Sequence, residues 1–129
     1  MPVRPVSTNL LAGCRVLVVE DEYFLADDIV RALRALGAGI LGPCGELEDA
    51  TRMLDDHPAI DAAVIDINLR SEMVFPLARL LRARGIPFVF ATGYDRTAVD
   101  AEFRDIHLWE KPLDLAAMAQ DLTELIRSR

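Results

Sequence analysis

The chain has 129 residues and a mass of 14.3 kDa, which is the size of one ordinary domain. Its 52% hydrophobic and 27% charged residues are typical of a globular protein and exclude a disordered chain, a collagen and a disulfide-rich scaffold. The net charge of −7 argues against nonspecific binding to nucleic acid or to anionic membranes, and it permits cation binding.

The chain shows no targeting or membrane-spanning pattern. Residues 1–13 predict a short polar tail before one domain at 14–129, and no apolar run approaches the roughly 18 residues that cross a bilayer. Cys14 and Cys44 lack metal-ligand spacing. Cys14 precedes a strand predicted at 15–19 and Cys44 follows one predicted at 38–41, so they would lie at opposite ends of neighbouring strands, about 16 Å apart. That distance is too long for a disulfide. We therefore expect a cytoplasmic protein with reduced thiols.

Short β-branched runs alternate with helical periodicities along the chain. Strands are predicted, in chain order, at 15–19, 38–41, 62–65, 87–91 and 106–109. Helices are predicted between and after them, at 23–36, 46–56, 74–81, 97–103 and 115–126. Five strand–helix units with short connections predict an α/β fold with a doubly wound parallel sheet in the flavodoxin-like order 2-1-3-4-5.

Polar side chains follow four of the five predicted strands. Glu20 and Asp21 end the first strand, Asp66 the third, Thr92 the fourth and Lys111 the fifth. The carboxyl ends of parallel strands share one edge, and the first and third strands are neighbours there. Three carboxylates suit Mg²⁺ or Mn²⁺, a lysine can neutralise a phosphoryl oxygen, and an aspartate can accept a phosphoryl group. The pattern therefore predicts an aspartyl-phosphate site.

Four motifs at these strand ends resemble the receiver domain of bacterial two-component response regulators. They are Val-Leu-Val-Val-Glu-Asp-Glu at 16–22, Val-Ile-Asp-Ile-Asn-Leu at 64–69, Phe-Ala-Thr-Gly at 90–93 and Glu-Lys-Pro-Leu at 110–113. The resemblance covers about residues 15–126, and the motifs are specific because they occur together and in order. It implies the same flavodoxin-like fold.

The resemblance also implies a metal site. Asp66 and Asp21 would ligate Mg²⁺ directly, Glu20 would act mostly through water, and Asn68 would supply its backbone carbonyl.

A phosphorylation role follows from the same resemblance. Asp66 would be the phosphoacceptor, and Thr92 and Lys111 would bind the phosphoryl group. The peptide bond between Lys111 and Pro112 is expected to be cis.

Several positions depart from the usual receiver pattern. Receivers usually carry Tyr or Phe three residues before the conserved lysine, but this chain has Leu108, and Trp109 is expected on the opposite face of the strand. The loop at 69–73 lacks the common Pro and Asp-Gly, and the short stretch from Thr92 predicts a shortened or remodelled fourth helix. Tyr94 is expected to overhang the phosphoryl group and hinder the attacking water.

Phe-Ala-Thr-Gly without the aromatic switch resembles the "FAT GUY" subgroup of single-domain receivers. We therefore expect a phosphoacceptor switch rather than a turnover enzyme, phosphorylated by a histidine kinase or histidine phosphotransferase and acting on a downstream protein partner. We expect no direct contact with nucleic acid or membrane, and a monomer or weak homodimer.

Two alternatives stay open. A receiver-like interaction module would have lost phosphorylation, although every expected site residue is present. A phosphohydrolase with an aspartyl-phosphate intermediate commonly has a second acid two residues after its nucleophile, where this chain has Asn68, and typically places the nucleophile on the first strand.

Overall fold

The computed structural model describes residues 9–69, 72–93 and 99–129. Its elements run in the order β1 (Arg15–Val19), α1 (Tyr23–Ala35), β2 (Gly39–Cys44), α2 (Leu47–Asp56), β3 (Ala62–Asp66), β4 (Asn68–Leu69), β5 (Glu72–Met73), α3 (Phe75–Ala83), β6 (Phe88–Thr92), β7 (Leu108–Glu110) and α4 (Leu115–Arg127). A 3-10 helix at Ala101–Phe103 precedes β7. Within these ranges, no helix has both the length and the apolar character needed to cross a membrane.

Five of the strands form one parallel sheet in the order β2-β1-β3-β6-β7. This order confirms the predicted 2-1-3-4-5 arrangement and the α/β class. The strand order reverses between β1 and β3, so the carboxyl ends of these two neighbouring parallel strands border a crevice at one edge of the sheet. The small antiparallel pair of β4 and β5 follows β3 and was not predicted.

Alternate side chains of each strand enter two separate apolar clusters, because successive residues point to opposite faces of a sheet. On one face, Leu17, Ile65 and Phe90 pack with residues of α2 and α3. On the other face, Val16 and Val64 pack with residues of α1 and α4. The two layers of helices hold the sheet from both sides and leave its carboxyl edge open for chemistry.

β2 extends further than the sequence predicted. The sequence predicts an end at Leu41, before Gly42, but the strand continues to Cys44 through a shift of register against β1 between Leu17 and Val19. Gly42 has φ +93°, and a Cβ there would lie 2.6 Å from the carbonyl oxygen of Val18. The continuation lets the amide of Glu20 donate to the carbonyl of Cys44 at 2.9 Å, which fixes the backbone that enters the crevice.

Cys14 and Cys44 are both free thiols in the structure. Cys14 lies just before β1, whereas Cys44 is the last residue of β2 and is buried. Burial raises the pKa of the Cys44 thiol, and the nearby Asp49 carboxylate adds to the effect.

The helix predicted at 97–103 is wrong within the described residues 99–103, although the region is shortened, as the short stretch after Thr92 predicted. Residues 97 and 98 lie outside the described ranges, and Ala101–Phe103 form a single 3-10 turn. Phe103 is fully buried and stacks on Phe75 with ring centroids 5.6 Å apart. Packing of one aromatic ring, rather than an amphipathic face, therefore anchors this connection.

Two arginines of α3 complete that anchor. The guanidinium of Arg82 lies 5.1 Å from the centroid of the Phe103 ring and pairs with Asp105 at 2.8 Å. Arg79 lies over the same ring and pairs with Glu102. Each exposed ion pair contributes little alone, but here the charges also cover an aromatic ring.

The segment before β1 joins the core. Leu11 is fully buried in the cluster that faces α1 and α4, and its amide donates to the carbonyl of Leu36 at 2.8 Å. Leu11 thus ties the predicted polar tail to the domain, while residues 1–8 lie outside the described ranges.

Substitution of Gly42 tests the close approach of β2 to β1. Gly85 has φ +67° and nothing within 4 Å of an added Cβ, so it is the matched control. We expect Gly85→Ala to lower the free energy of unfolding by about 1–2 kcal/mol through backbone strain alone. Gly42→Ala should cost at least about 1 kcal/mol more, because its methyl group meets backbone atoms. Urea unfolding followed by circular dichroism measures both, and equal losses would contradict the packing argument.

Candidate functional site

Three carboxylates meet at the carboxyl edge of the sheet. Val19 pairs with Ile65, so Glu20, directly after β1, and Asp66, the last residue of β3, emerge side by side. Glu20 is 3% exposed and Asp66 is 4% exposed, and Asp21 is partly buried beside them. One oxygen from each of the three carboxylates lies within 4.8 Å of the others. The structure therefore brings together the acidic residues that the strand ends indicated.

Lys111 reaches into this acidic cluster from the end of β7. Its Nζ lies 2.9 Å from Oδ2 of Asp66 and 3.2 Å from Oε1 of Glu20, and its side chain is only 18% exposed. The amide of Lys111 donates to the carbonyl of Thr92 at 2.8 Å, which ties the lysine to the end of β6. The cis peptide bond between Lys111 and Pro112 is present, as the resemblance implied.

Glu22 is a fourth acidic residue at the site, and the sequence did not predict its role. Its Oε1 lies 3.5 Å from Nζ of Lys111, and its backbone amide donates to Oε2 of Glu20 at 3.1 Å. Its position directly after the Glu-Asp pair was the available signal. Glu22 thus sits at the solvent side of the lysine and orients the buried carboxylate of Glu20.

The backbone after β3 holds the remaining oxygen of Asp66. The amide of Asn68 donates to Oδ1 of Asp66 at 3.2 Å, so Lys111 and Asn68 contact different oxygens of one carboxylate. Asn68 begins β4, close to the acidic cluster, where the resemblance placed a metal ligand. Thr92 ends β6 and is fully buried, one residue beyond the Ala91 that pairs with Asp66.

Burial and mutual repulsion shift the charges of the site. Burial, reinforced by the neighbouring Asp66 carboxylate, raises the pKa of Glu20 to about 8. Burial disfavours the charged form of Lys111, but the hydrogen bonds and charges of the Asp66 and Glu20 carboxylates together outweigh that effect and raise the pKa of the lysine. In the metal-free site, burial therefore favours the protonated form of Glu20, and the carboxylates favour the charged ammonium of Lys111.

This donor set fits a small hard cation. Glu20, Asp21 and Asp66 offer carboxylate oxygens only, which Mg²⁺ prefers, and burial makes their mutual repulsion costly without a counter-charge. Lys111 supplies one positive charge to the cluster and leaves an acidic excess. The residues present can therefore hold a divalent cation at the carboxyl edge.

Leu108 and Trp109 lie on opposite faces of β7, as strand alternation predicted. Leu108 packs against the cluster with α2 and α3, whereas Trp109 packs against the cluster with α1 and α4. Trp109 thus does not take the place of the missing aromatic residue. Tyr94 lies outside the described ranges, so its expected position above the phosphoryl group stays a prediction.

The rim of the crevice carries exposed apolar side chains that the sequence analysis did not identify. Tyr23 and Phe24 begin α1 directly after the acidic motif and are 78% and 81% exposed, with their rings in edge contact. Met73 is also exposed, on the β5 strand that follows Asp66. Large apolar side chains this exposed, beside a chemical site, are typical of a surface that a partner covers.

Several solved structures that resemble this chain are response-regulator receivers. The chain is 35% identical to SdrG from Pseudomonas melonis Fr1 in its BeF3-activated conformation, covering 94% of this chain and 99% of that one with a TM-score of 0.71. A response regulator receiver protein from Sinorhizobium medicae WSM419 is 24% identical over 89% of this chain and 95% of that chain, with a TM-score of 0.78. The receiver domain of the hybrid histidine kinase CckA is 23% identical over 87% and 98% of the two chains, with a TM-score of 0.72. No family model and no curated protein sequence matches the chain.

The raised pKa of Glu20 predicts an unusual pH dependence of stability. The folded state binds a proton on Glu20 more tightly than the unfolded state, where the carboxyl has its ordinary pKa of 4.5. The metal-free protein should therefore lose stability as pH rises from about 5 to 8. The slope is at most about 1.4 kcal/mol per pH unit for one proton. Urea unfolding in EDTA across this range measures it.

Two comparisons sharpen that measurement. Glu20→Gln should flatten the slope, because the group no longer titrates. Mg²⁺ should stabilise the wild type more at pH 8 than at pH 6, since binding no longer has to displace the proton. A wild-type slope equal to that of Glu20→Gln would refute the assignment.

Proposed function

The chain belongs to the family of response-regulator receiver domains, and from that premise we propose that Asp66 accepts a phosphoryl group in a Mg²⁺-dependent phosphorelay. The donor is the phosphohistidine of a histidine kinase or histidine phosphotransferase. The observation that carries the proposal is the 2.9 Å contact between Nζ of Lys111 and Oδ2 of Asp66, beside a buried acidic cluster at one sheet edge.

Each residue has a definite part in the proposed transfer. A carboxylate oxygen of Asp66 attacks phosphorus, the new O–P bond forms as the P–N bond breaks, and that bond's electron pair stays on the donor's imidazole. Lys111 and the Thr92 hydroxyl stabilise the transferred oxygens. Asp21, Asp66 and the Asn68 carbonyl would hold Mg²⁺ directly and Glu20 mostly through water, and the ion would supply positive charge for the phosphoryl oxygens.

The proposed protein is a switch rather than a turnover enzyme. It catalyses its own phosphorylation, and water slowly hydrolyses the phosphoaspartate. Its output is a contact with a downstream protein in the cytoplasm, in keeping with the single-domain FAT GUY subgroup that its Phe-Ala-Thr-Gly motif resembles. The net charge of −7 supports protein contacts over nucleic-acid binding.

Phosphorylation by a small donor tests this function directly. Incubation with acetyl phosphate and Mg²⁺ should add one phosphoryl group to the intact protein, as measured by mass spectrometry. EDTA or Asp66→Asn should abolish the addition, and Asp105→Asn, an exposed acid of the same type, should leave it unchanged. Absence of an Asp66-dependent mass shift would favour an unphosphorylated interaction module. Rapid turnover of phosphate monoesters would favour a phosphohydrolase.

The exposed aromatic pair predicts a difference between small and protein donors. Because Tyr23 and Phe24 border the acidic crevice without belonging to it, we propose that they contact the donor protein. The double variant Tyr23→Ser/Phe24→Ser should slow transfer from a phosphorylated histidine phosphotransferase at least tenfold, or about 1.4 kcal/mol. Its phosphorylation by acetyl phosphate should stay within about twofold.

A matched variant separates apolar contact from other effects. Tyr23→Leu/Phe24→Leu keeps apolar area at both positions and should recover much of the transfer rate. The rate is followed by loss of label from a donor that phosphorylates the wild-type chain. Equal slowing with both donors would place the pair in the chemical site instead of the docking surface.

A further inference from the structure

Asp121 binds two side chains of the β7 region at once. Oδ2 of Asp121 accepts a hydrogen bond from the indole Nε1 of Trp109 at 2.9 Å. The same carboxylate lies 2.8 Å from Nδ1 of His107, and its side chain is only 16% exposed. These three residues, the Asp121 clasp, tie α4 to the strand that ends just before Lys111. The transfer steps proposed above make no use of them.

On the side of α4, β7 is held by the packing of Trp109 and by the Asp121 clasp. It spans only Leu108–Glu110 and lies at the edge of the sheet, with β6 as its single neighbouring strand. The pairing of β7 with β6 sets the register of β7, but the distance between β7 and α4 depends on side chains of β7 that point toward that helix. His107 and Trp109 both point there, because residues two apart share a face.

The position of Lys111 depends on the position of β7. It lies two residues beyond Trp109, and its Nζ must sit 2.9 to 3.5 Å from three different carboxylates. A displacement of about 1 Å would break this arrangement, and misplacements of that size can cost about a hundredfold in rate. Outer contacts that orient a functional side chain commonly act in this way.

We propose that Asp121 is a positioning residue for Lys111. Asp121 acts through the Trp109 indole and the His107 imidazole, which it holds on either side of Leu108. This inference deepens the phosphotransfer function proposed above and rests on it for the meaning of the rate. The clasp fixes the ammonium where it serves the phosphoryl group, and it also keeps that ammonium in place as a competitor of the metal ion for Asp66 and Glu20.

Because Lys111 has two roles, displacing it should change the phosphorylation rate and the Mg²⁺ affinity in opposite directions. Asp121→Leu should lower the rate constant for phosphorylation by acetyl phosphate at saturating Mg²⁺ by about tenfold. The same variant should tighten Mg²⁺ binding several-fold, because a displaced ammonium no longer competes for the carboxylates. A merely structural defect would weaken both. Asp121→Asn, which keeps an oxygen acceptor for the indole, should restore most of both values.

A milder variant and a spectroscopic signal guard against misfolding. Trp109→Phe keeps an aromatic ring but loses the N–H donor, and it should shift rate and Mg²⁺ affinity in the same two directions. Trp109 is the only tryptophan, so its indole N–H gives one resonance in a proton–nitrogen correlation spectrum. That resonance should move when Mg²⁺ and beryllofluoride are added to the wild type, and respond much less in Asp121→Leu.

The outcomes distinguish this proposal from the function itself. If the wild type is phosphorylated but both variants match it in rate and Mg²⁺ affinity, Asp121 does not position Lys111. Parallel loss of rate and affinity would also overturn the proposal, since it marks a general structural defect. If the wild type takes no phosphoryl group, the proposed function fails, while Mg²⁺ affinity and the indole resonance still decide whether the clasp positions the lysine.

Discussion

The contact between Lys111 and Asp66 is the constraint on which the site depends, because it joins strands that are not neighbours. Asp66 ends β3 and Lys111 follows β7, and β6 lies between them. The lysine can span that distance only if all three strands are parallel and end at the same edge. The parallel order of the sheet and the two helical layers that enforce it are therefore conditions for the chemistry, and the two apolar clusters do more than stabilise the fold.

The same contact sets the charge balance of the crevice. Burial removes the water that would screen Glu20 and Asp66, so without a metal ion it favours protonation of Glu20, and the Lys111 ammonium lies against both carboxylates. A divalent cation would replace the proton and compete with the ammonium. The acidic residues responsible are a small part of an overall negative charge, and most of the remaining acids in the described ranges lie at exposed positions.

The local hydrophobic pattern of the sequence predicted the strands and the polar residues that follow them. β-branched runs followed by polar residues located β1, β3 and β6, and the rules of parallel sheets then placed Glu20, Asp21, Asp66 and Lys111 together. The pattern failed where a distant neighbour decides the conformation. Gly42 indicated a strand end, but pairing with β1 carries β2 onward, and β4 and β5 are too short to show periodicity. The Asp121 clasp joins residues 12 and 14 positions apart through side chains alone, which no periodicity reveals.

The buried Leu11 bears on where the folding unit starts. The boundary predicted at residue 14 lies one residue before β1, yet Leu11 fills space beneath α1 and its amide donates to the carbonyl of Leu36 at the end of that helix. A version of the protein trimmed to the motif would leave a cavity under α1 and an unsatisfied carbonyl beside it. Because α1 begins at Tyr23, next to the acidic crevice, the choice of cloning boundary would reach the chemistry through the helix that borders it.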